Sequence, residues 1–533
     1  MAGAIINSLR LMRSGLVLAE HGVRFVPNGQ KVPLPLRLAR GAALVVATLT
    51  WPFRAGRRRP KHQSPIAAAF ADLGPSYIKA GQFLAARPDL VGQALASDFQ
   101  SLQDRMTPFS RAEAESAVAE ALGKPVAELF ASFGPPIAAA SIAQVHKAMA
   151  VDAGGHERAV AVKVLRPDIE ARFARDLESF YFAARLIERM HEPSRRLKPV
   201  AVIDTLARSV TLEMDLRLEA AAISEMAENT KDDRGFRVPA IDWTRTGKRV
   251  LTLEWIDATP IGDVEALNEA GHDLAGLGEE VIRHFLRHAM RDGFFHADMH
   301  QGNLFVEADG TIVAVDFGIM GRLSPKERRF LAEILFGFIS RDYRRAALAH
   351  FAAGYVPAHH SVEVFAQALR AIGEPLMGRP AEEISMGHLL GQLFAYTEVF
   401  DMETRPELIL LQKTMVVVEG VARTLDARLN IWTAAEPIVR DWLERELGLE
   451  GRLREAGAGA QTLGSFMGDL PMVLLNAGRA ADAFAGMARE GLRLDEETVA
   501  RVATAGHRAR RSERIALWIG ALALAALAAG ILL

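Results

Sequence analysis

The spacing of apolar positions changes period along this chain, and the changes mark its organisation. Residues 63–135 carry helical patterns, the stretch from 136 to about 257 holds short strand-like runs, and helical patterns then continue to about 440. Ala159-Val160-Ala161-Val162-Lys163-Val164 is an apolar, partly β-branched run with one cation in its middle, which predicts a buried strand. Leu251-Thr252-Leu253-Glu254-Trp255-Ile256 predicts a later strand. Thr211 to Glu219 reads as helix, which would set Glu213 and Asp215 about 200° apart and put Asp215 and Glu219 on one face. Pro136 to His146 is ambiguous, because its run of Ala138, Ala139, Ala140 and Ser141 fits either the start of a helix or a loop that closes on a ligand. Residues 451–500, rich in Gly, Ala and Met, read as a helical linker.

The two ends carry the longest apolar runs. Ile515 to Leu533 is nineteen residues without a charge, preceded by Arg508, Arg510, Arg511 and Arg514. At about 1.5 Å per residue such a helix is long enough to cross a hydrocarbon core, with the arginines on the cytoplasmic side. An Ala-rich helix packed on the protein is the alternative. Gly41 to Phe53, at thirteen residues, is too short to span and fits embedding at the interface or packing on the body.

Composition sharpens this picture. The chain has 533 residues, a net charge of −2 and no cysteine, so neither disulfides nor thiolate metal sites are available. Residues 1–62 hold eleven Lys/Arg against the single acid Glu20, a gradient that suits an anionic membrane surface. The apolar runs interleaved with that charge favour lipid over nucleic acid. Arg10 and Arg13 interrupt the first apolar stretch, so no cleavable signal peptide is expected.

The chemistry lies in Phe295-His296-Ala297-Asp298-Met299-His300-Gln301-Gly302-Asn303 and Val315-Asp316-Phe317-Gly318. An Asp, an Asn five residues on and an Asp-Phe-Gly thirteen after that match a kinase catalytic loop and its metal-binding strand end. Asp298 would accept a proton or orient a hydroxyl or water, and Asn303 and Asp316 would hold Mg²⁺ against nucleotide phosphates. Lys163 precedes Asp298 by 135 residues, about a small lobe and hinge, which favours a phosphate-binding strand lysine over an edge lysine in solvent. The 251–256 strand, with Glu254 and Ile256 at its end, falls where the hinge against the nucleotide is expected. Residues 138–141 occupy the place of a glycine-rich loop. Neither G-x-G-x-x-G nor G-x-x-x-x-G-K-[ST] occurs, so nucleotide binding rests on the kinase-like motifs. His296 and His300 could instead ligate zinc, a reading that leaves Lys163 unexplained.

With Lys79-Ala80-Gly81-Gln82, the alanine-rich loop 138–141, Glu213-Met214-Asp215 with Glu219, and the two motifs above, the chain resembles the UbiB family of atypical kinases, the ABC1/COQ8 type. The resemblance covers roughly residues 60 to 440, including Glu419-Gly420-Val421-Ala422-Arg423; Met299 and Gln301 stand where the family usually has prolines. It implies an α+β, two-lobed protein-kinase-like fold with a helical extension carrying Lys-x-Gly-Gln, to which the uncharged C-terminal run adds an expected transmembrane helix. The parts would be a basic arm (1–62), the extension (63–135), a small lobe (136–257), a helical large lobe (258–440), a linker (441–510) and an anchor (511–533). Glu219 would partner Lys163, and Lys79 would reach over the site towards Glu213 and Asp215, occluding the groove of a peptide substrate.

Three functions follow as expectations. One is a membrane ATPase supporting ubiquinone biosynthesis, using ATP or ADP with Mg²⁺ while handling polyprenyl-phenol intermediates at the bacterial inner membrane with its body on the cytoplasmic side. The others are a small-molecule or lipid kinase, and a nucleotide-binding scaffold for ubiquinone-synthesis enzymes. Those enzymes and a second copy of the chain are the protein partners left open; nucleic acid is not expected.

Overall fold

A computed structural model describes residues 2–21, 64–377 and 399–447, with short breaks inside those ranges. Helix α1 (Ala2–Glu20) of the arm packs onto the extension, a helical layer of α2 (Pro65–Leu73), α3 (Pro75–Ala85) and α4 (Gln93–Gln100). Ser64 starts α2 by accepting the Ala67 N–H, with Pro65 preset for the first turn. Gly74 ends it at φ 101°, a conformation that favours glycine, and Pro75 opens α3 at once. Ile66, Phe70, Phe99 and Leu102 form the extension's core, with Leu18 of α1 joining them. Gly81 of α3 lets these elements close: a Cβ there would sit 2.3 Å from Leu102 Cδ1 and 3.1 Å from the rings of Phe70 and Phe99.

Helix α5 (Arg111–Leu122) begins with a reciprocal Ser110–Glu113 cap and stops at left-handed Gly123. Beside it lies an antiparallel sheet of β1 (Ser132–Ala139), β2 (Ala143–Val151), β3 (Glu157–Leu165) and β5 (Val250–Glu254), in the order β1-β2-β3-β5. The period-2 rule sorts β3 into two faces. Val160, Val162 and Val164 are fully buried against Ala114, Ala117 and Val118 of α5, while Leu165 joins the main core on the other face, which Lys163 shares.

After α6 (Ile169–Met190), the helix expected across residues 211–219 is two helices. α7 (Pro199–Glu213) ends at Glu213, and α8 (Leu216–Thr230) starts anew with Asp215 as its N-cap in extended geometry. The short Asp215 side chain accepts the Arg217 N–H, and the Leu216 N–H is taken by the Lys248 carbonyl, so the ladder is interrupted there. Asp215 and Glu219 therefore do not share a stripe of one continuous helix.

The second lobe combines short strands with helices. β4 (Phe236–Arg237), β6 (Thr259–Pro260), β8 (Leu304–Val306) and β9 (Ile312–Ala314) form a sheet ordered β4-β9-β8-β6, and β7 (Phe294–His296) pairs with β10 (Met320–Arg322). α9 (Leu274–Arg287), α10 (Pro325–Ile339), α11 (Tyr343–Ala353), α12 (Val362–Met377), α13 (Pro406–Leu425) and α14 (Ile431–Leu447) enclose them. One core runs through both lobes, from Leu165, Ile223 and Leu251 to Phe285, Phe295, Phe317, Val418 and Ala422. Among the described residues no helix is long and apolar enough to cross a membrane. The apolar 41–53 segment, most of the linker and the predicted anchor at 511–533 lie outside the described residues.

Candidate active site

The site sits where β3, α8, the turn after β7 and the end of β9 meet. Lys163 projects from the face of β3 opposite its valines; its Nζ donates to both carboxylate oxygens of Glu219 (2.8 and 2.9 Å) and to Asp316 Oδ1 (2.9 Å). Asp215, by starting α8, places Glu219 in that helix's first turn, where it is 7% exposed. Burial pulls the Lys163 ammonium towards neutrality, yet Asp316 and Glu219 more than reverse this and hold its pKa well above the ordinary value. Lys163 in turn holds Asp316 well below the carboxylate range, against burial. Glu219 moves the other way: burial pushes it up, and the neighbouring negative charge of Asp316 adds to the shift against the pull of Lys163. The trio keeps a cation and one acid firmly ionised, with Glu219 the costlier charge.

Asp316 has φ 60°, left-handed geometry tolerated by Asp better than by most residues. Next to it Phe317 is buried against the His296 ring, 4.9 Å away centroid to centroid. His296 accepts the Asp298 N–H at Nδ1 and contacts the Val315 carbonyl at 3.1 Å through Nε2, which fixes the tautomer with hydrogen on Nε2. Burial holds its pKa below the ordinary value. Both ring nitrogens are thus spent on the loop backbone, and His296 and His300 form no metal set. Among the described residues, groups close enough to share a metal are Asp233, His284 and His288, and His359, His360 and Asp401.

Asn303 is buried and donates its side-chain Nδ2–H to the Asp298 carbonyl at 3.1 Å, while its backbone carbonyl accepts from Val315 N–H. With Nδ2 engaged in this way, Oδ1 is the side-chain atom left to meet a cation. A side-chain amide oxygen and the ionised Asp316 carboxylate are hard donors suited to Mg²⁺, so the residues present fit that ion. Asp298 keeps a partly exposed carboxylate, with His300 Nε2 3.7 Å from one oxygen and Lys413 Nζ 4.0 Å from the other.

Ala138 and Ala139 end β1 opposite Val145 and Gln144, and residues 140–142 turn into β2, so this run is a hairpin and not a helix start. Arg166 pins the turn by donating to the Ala140 carbonyl from Nε and Nη2 (3.1 and 2.9 Å); Ser141 is buried beneath it. Glu254 ends β5 with its carboxylate held by Arg237 at 3.0 Å and by the Ala240 N–H at 3.1 Å. Any nucleotide contact at Glu254 therefore falls to its backbone. Ile256 follows two residues on in the connection towards the second lobe.

Lys79, on α3, stands 2.7 Å from Glu213 Oε2, both side chains less than one-fifth exposed. Its charge adds to the lowering of the Asp316 pKa that Lys163 chiefly causes. The expected contact of Lys79 with Asp215 needs correction: the Asp215 carboxylate is taken by Arg217, by its backbone N–H at the start of α8 and by its guanidinium at 2.8 and 2.6 Å. Sequence reasoning missed Lys413 altogether. The signal was a single cation in the apolar first half of a helix, 115 residues beyond the loop it faces.

A two-lobed fold with a strand lysine bridging a helix glutamate and the Asp of Asp-Phe-Gly defines a protein of the kinase-like class. Residues 101–350 match the ABC1 atypical kinase-like domain and residues 369–430 the UbiB helical domain. A probable protein kinase UbiB from Marinobacter nauticus is 41% identical over 391 residues, 72% of this chain and 71% of the relative. Proteins of the same description from Xanthomonas euvesicatoria pv. vesicatoria (36% over 475 residues, 87% and 84%) and Azotobacter vinelandii (40% over 390 residues, 72% of each) are similar too. This chain belongs to the UbiB family.

Proposed function

We propose that the protein binds Mg-ATP and turns it over at the bacterial inner membrane in support of ubiquinone biosynthesis, acting on or alongside polyprenyl-phenol intermediates. The observation that carries this reading is the Lys163–Glu219–Asp316 trio beside Asp298 and Asn303. Lys163 would orient the α and β phosphates, with the turn at residues 138–141 above them and the 254–256 backbone beside the base. Asn303 and Asp316 would hold Mg²⁺, whose charge would offset that developing on the phosphates. Asp298 would take the proton of the attacking hydroxyl or water.

The Lys79–Glu213 pair supports a site closed to peptides and open to water or a small hydroxyl. That pair does not discriminate ATP hydrolysis from phosphorylation of a small lipid, so the lipid-kinase reading stands as the second. The ion-paired trio speaks against a scaffold without chemistry. The basic N-terminal arm and the uncharged C-terminal run support membrane attachment with the body in the cytoplasm. The test is ATP turnover by the full-length protein in anionic vesicles, with and without an alkylphenol. Mg²⁺-dependent turnover that falls about 10²-fold or more in Asp316→Asn is expected, from removal of one ligand charge at the phosphates. Undiminished turnover in a folded Asp316→Asn variant overturns the assignment.

A further inference from the structure

The helical part of the chain reaches into the catalytic loop. Helix α13 is seated on that loop by Thr414, whose buried hydroxyl lies 3.0 Å from the Ala297 carbonyl and 2.8 Å from that of Leu410. Met299, on the far side of Asp298, is also buried in the core that α13 joins through Leu411 and Val418. The residue preceding Thr414 is Lys413. Its ammonium is half-exposed and stands 4.0 Å from Asp298 Oδ1, while His300 faces Oδ2 from 3.7 Å. Because His300 Nδ1 accepts the Gly302 N–H, its hydrogen is on Nε2, facing Asp298.

A separation of 4.0 Å is too long for a hydrogen bond, and an ion pair this exposed contributes only about 0–1 kcal/mol to folding. Stability is therefore a poor explanation for a lysine at this point. Charge is a better one. The turn at residues 138–141 offers alanines in place of a glycine-rich phosphate cradle, Lys163 is shared between two carboxylates, and Lys79 is engaged by Glu213. Lys413 faces the one carboxylate that would hold the nucleophile.

We propose that Lys413 is a catalytic residue of phosphoryl transfer, contributed by the UbiB helical domain to the kinase-like site; this rests on the nucleotide reading above. In the step it would serve, the oxygen of a water or small hydroxyl forms a bond to the γ-phosphorus of ATP as the bond to the β,γ-bridging oxygen breaks. The bonding pair leaves with ADP, and the hydroxyl proton passes to Asp298. Negative charge spreads over the transferring phosphoryl oxygens in between, and the Lys413 ammonium lies where it can meet that charge.

The experiment compares Lys413→Met and Lys413→Arg with the wild type in the full-length protein. It measures turnover of Mg-ATP, affinity for a non-hydrolysable ATP analogue, and thermal unfolding. Lys413→Met should lower kcat by about 10²-fold, the usual cost of one transition-state donor, while analogue affinity and unfolding stay at wild-type values. Lys413→Arg should recover much of the loss. Wild-type kcat in Lys413→Met overturns the proposal, as does a loss that tracks weaker analogue binding or earlier unfolding. If the wild type itself binds the analogue without turnover, it is the nucleotide-turnover reading that fails, and the role of Lys413 fails with it.

Discussion

Replacing Gly81 by alanine probes how the Lys-x-Gly-Gln helix is held against its neighbours. The added Cβ would sit 2.3 Å from Leu102 Cδ1 and 3.1 Å from one ring atom each of Phe70 and Phe99. Leu102 can swing away, since the close atom is the end of a flexible side chain. The two rings pack on each other at 4.9 Å between centroids and have less room to yield. Overpacking of this kind costs about 1–3 kcal/mol. Alanine returns about 1 kcal/mol in helix propensity, leaving a net loss of up to about 2 kcal/mol. Gly15, mid-helix in α1 with nothing within 4 Å of its would-be Cβ, is the control, and Gly15→Ala should be neutral or stabilising by up to about 1 kcal/mol. Amide hydrogen exchange across residues 65–100 reads the loss where it occurs, because the extension has its own core. Faster exchange there in Gly81→Ala, with none in Gly15→Ala, is expected. Lys79 lies two residues away on the same helix, so its contact with Glu213 should loosen as well. Wild-type exchange in Gly81→Ala would refute the claim that close helix packing is what this glycine provides.

Glu219→Gln should cut kcat/KM for Mg-ATP by 10-fold or more, roughly 1.4 kcal/mol, because Lys163 loses a charged anchor. Unfolding by urea should shift little, since Lys163 keeps Asp316 as its charged partner; a large destabilisation without a kinetic effect would reverse the assignment of roles. Acid should weaken the fold through His284, fully buried, whose pKa burial, aided by the nearby His288 and Arg287, brings down to about 3. The folded form refuses a proton that the unfolded chain takes up below about pH 6.5, so this stability is present above that pH and is lost as pH falls towards 3, at up to about 1.4 kcal/mol per unit. His284→Gln should flatten the urea-stability profile between pH 6.5 and 5, and parallel profiles for the two proteins would show that His284 does not set it.

What could be read in advance followed from how local each signal is. The β3 strand announces itself through alternate valines, and the same alternation puts Lys163 on the face opposite them. Asp298, Asn303 and Asp316 lie within nineteen residues, so their spacing alone suggests shared chemistry. The break at Met214–Asp215 was missed because helical periodicity continues through it; a capping aspartate and one backbone bond to Lys248 decide the matter. Alanines at 138–140 are compatible with helix and hairpin alike, and it is Arg166 gripping the Ala140 carbonyl, a tertiary contact, that accompanies the hairpin. Lys413 could not be assigned from a motif, since only the packing of α13 on Ala297 brings it to Asp298.

Calorimetric titration of Mg-ADP against a small set of variants tests the central claim, that Lys163 and Asp316 form a Mg-nucleotide site while Asp215 is taken by Arg217. Lys163→Met and Asp316→Asn should each weaken Mg²⁺-dependent binding by at least about tenfold, from loss of one charge at the phosphates. Asp215→Asn, which keeps a capping side chain and faces Arg217, should bind as the wild type does. Binding that survives both site variants, or that is lost only with Asp215, would contradict the account.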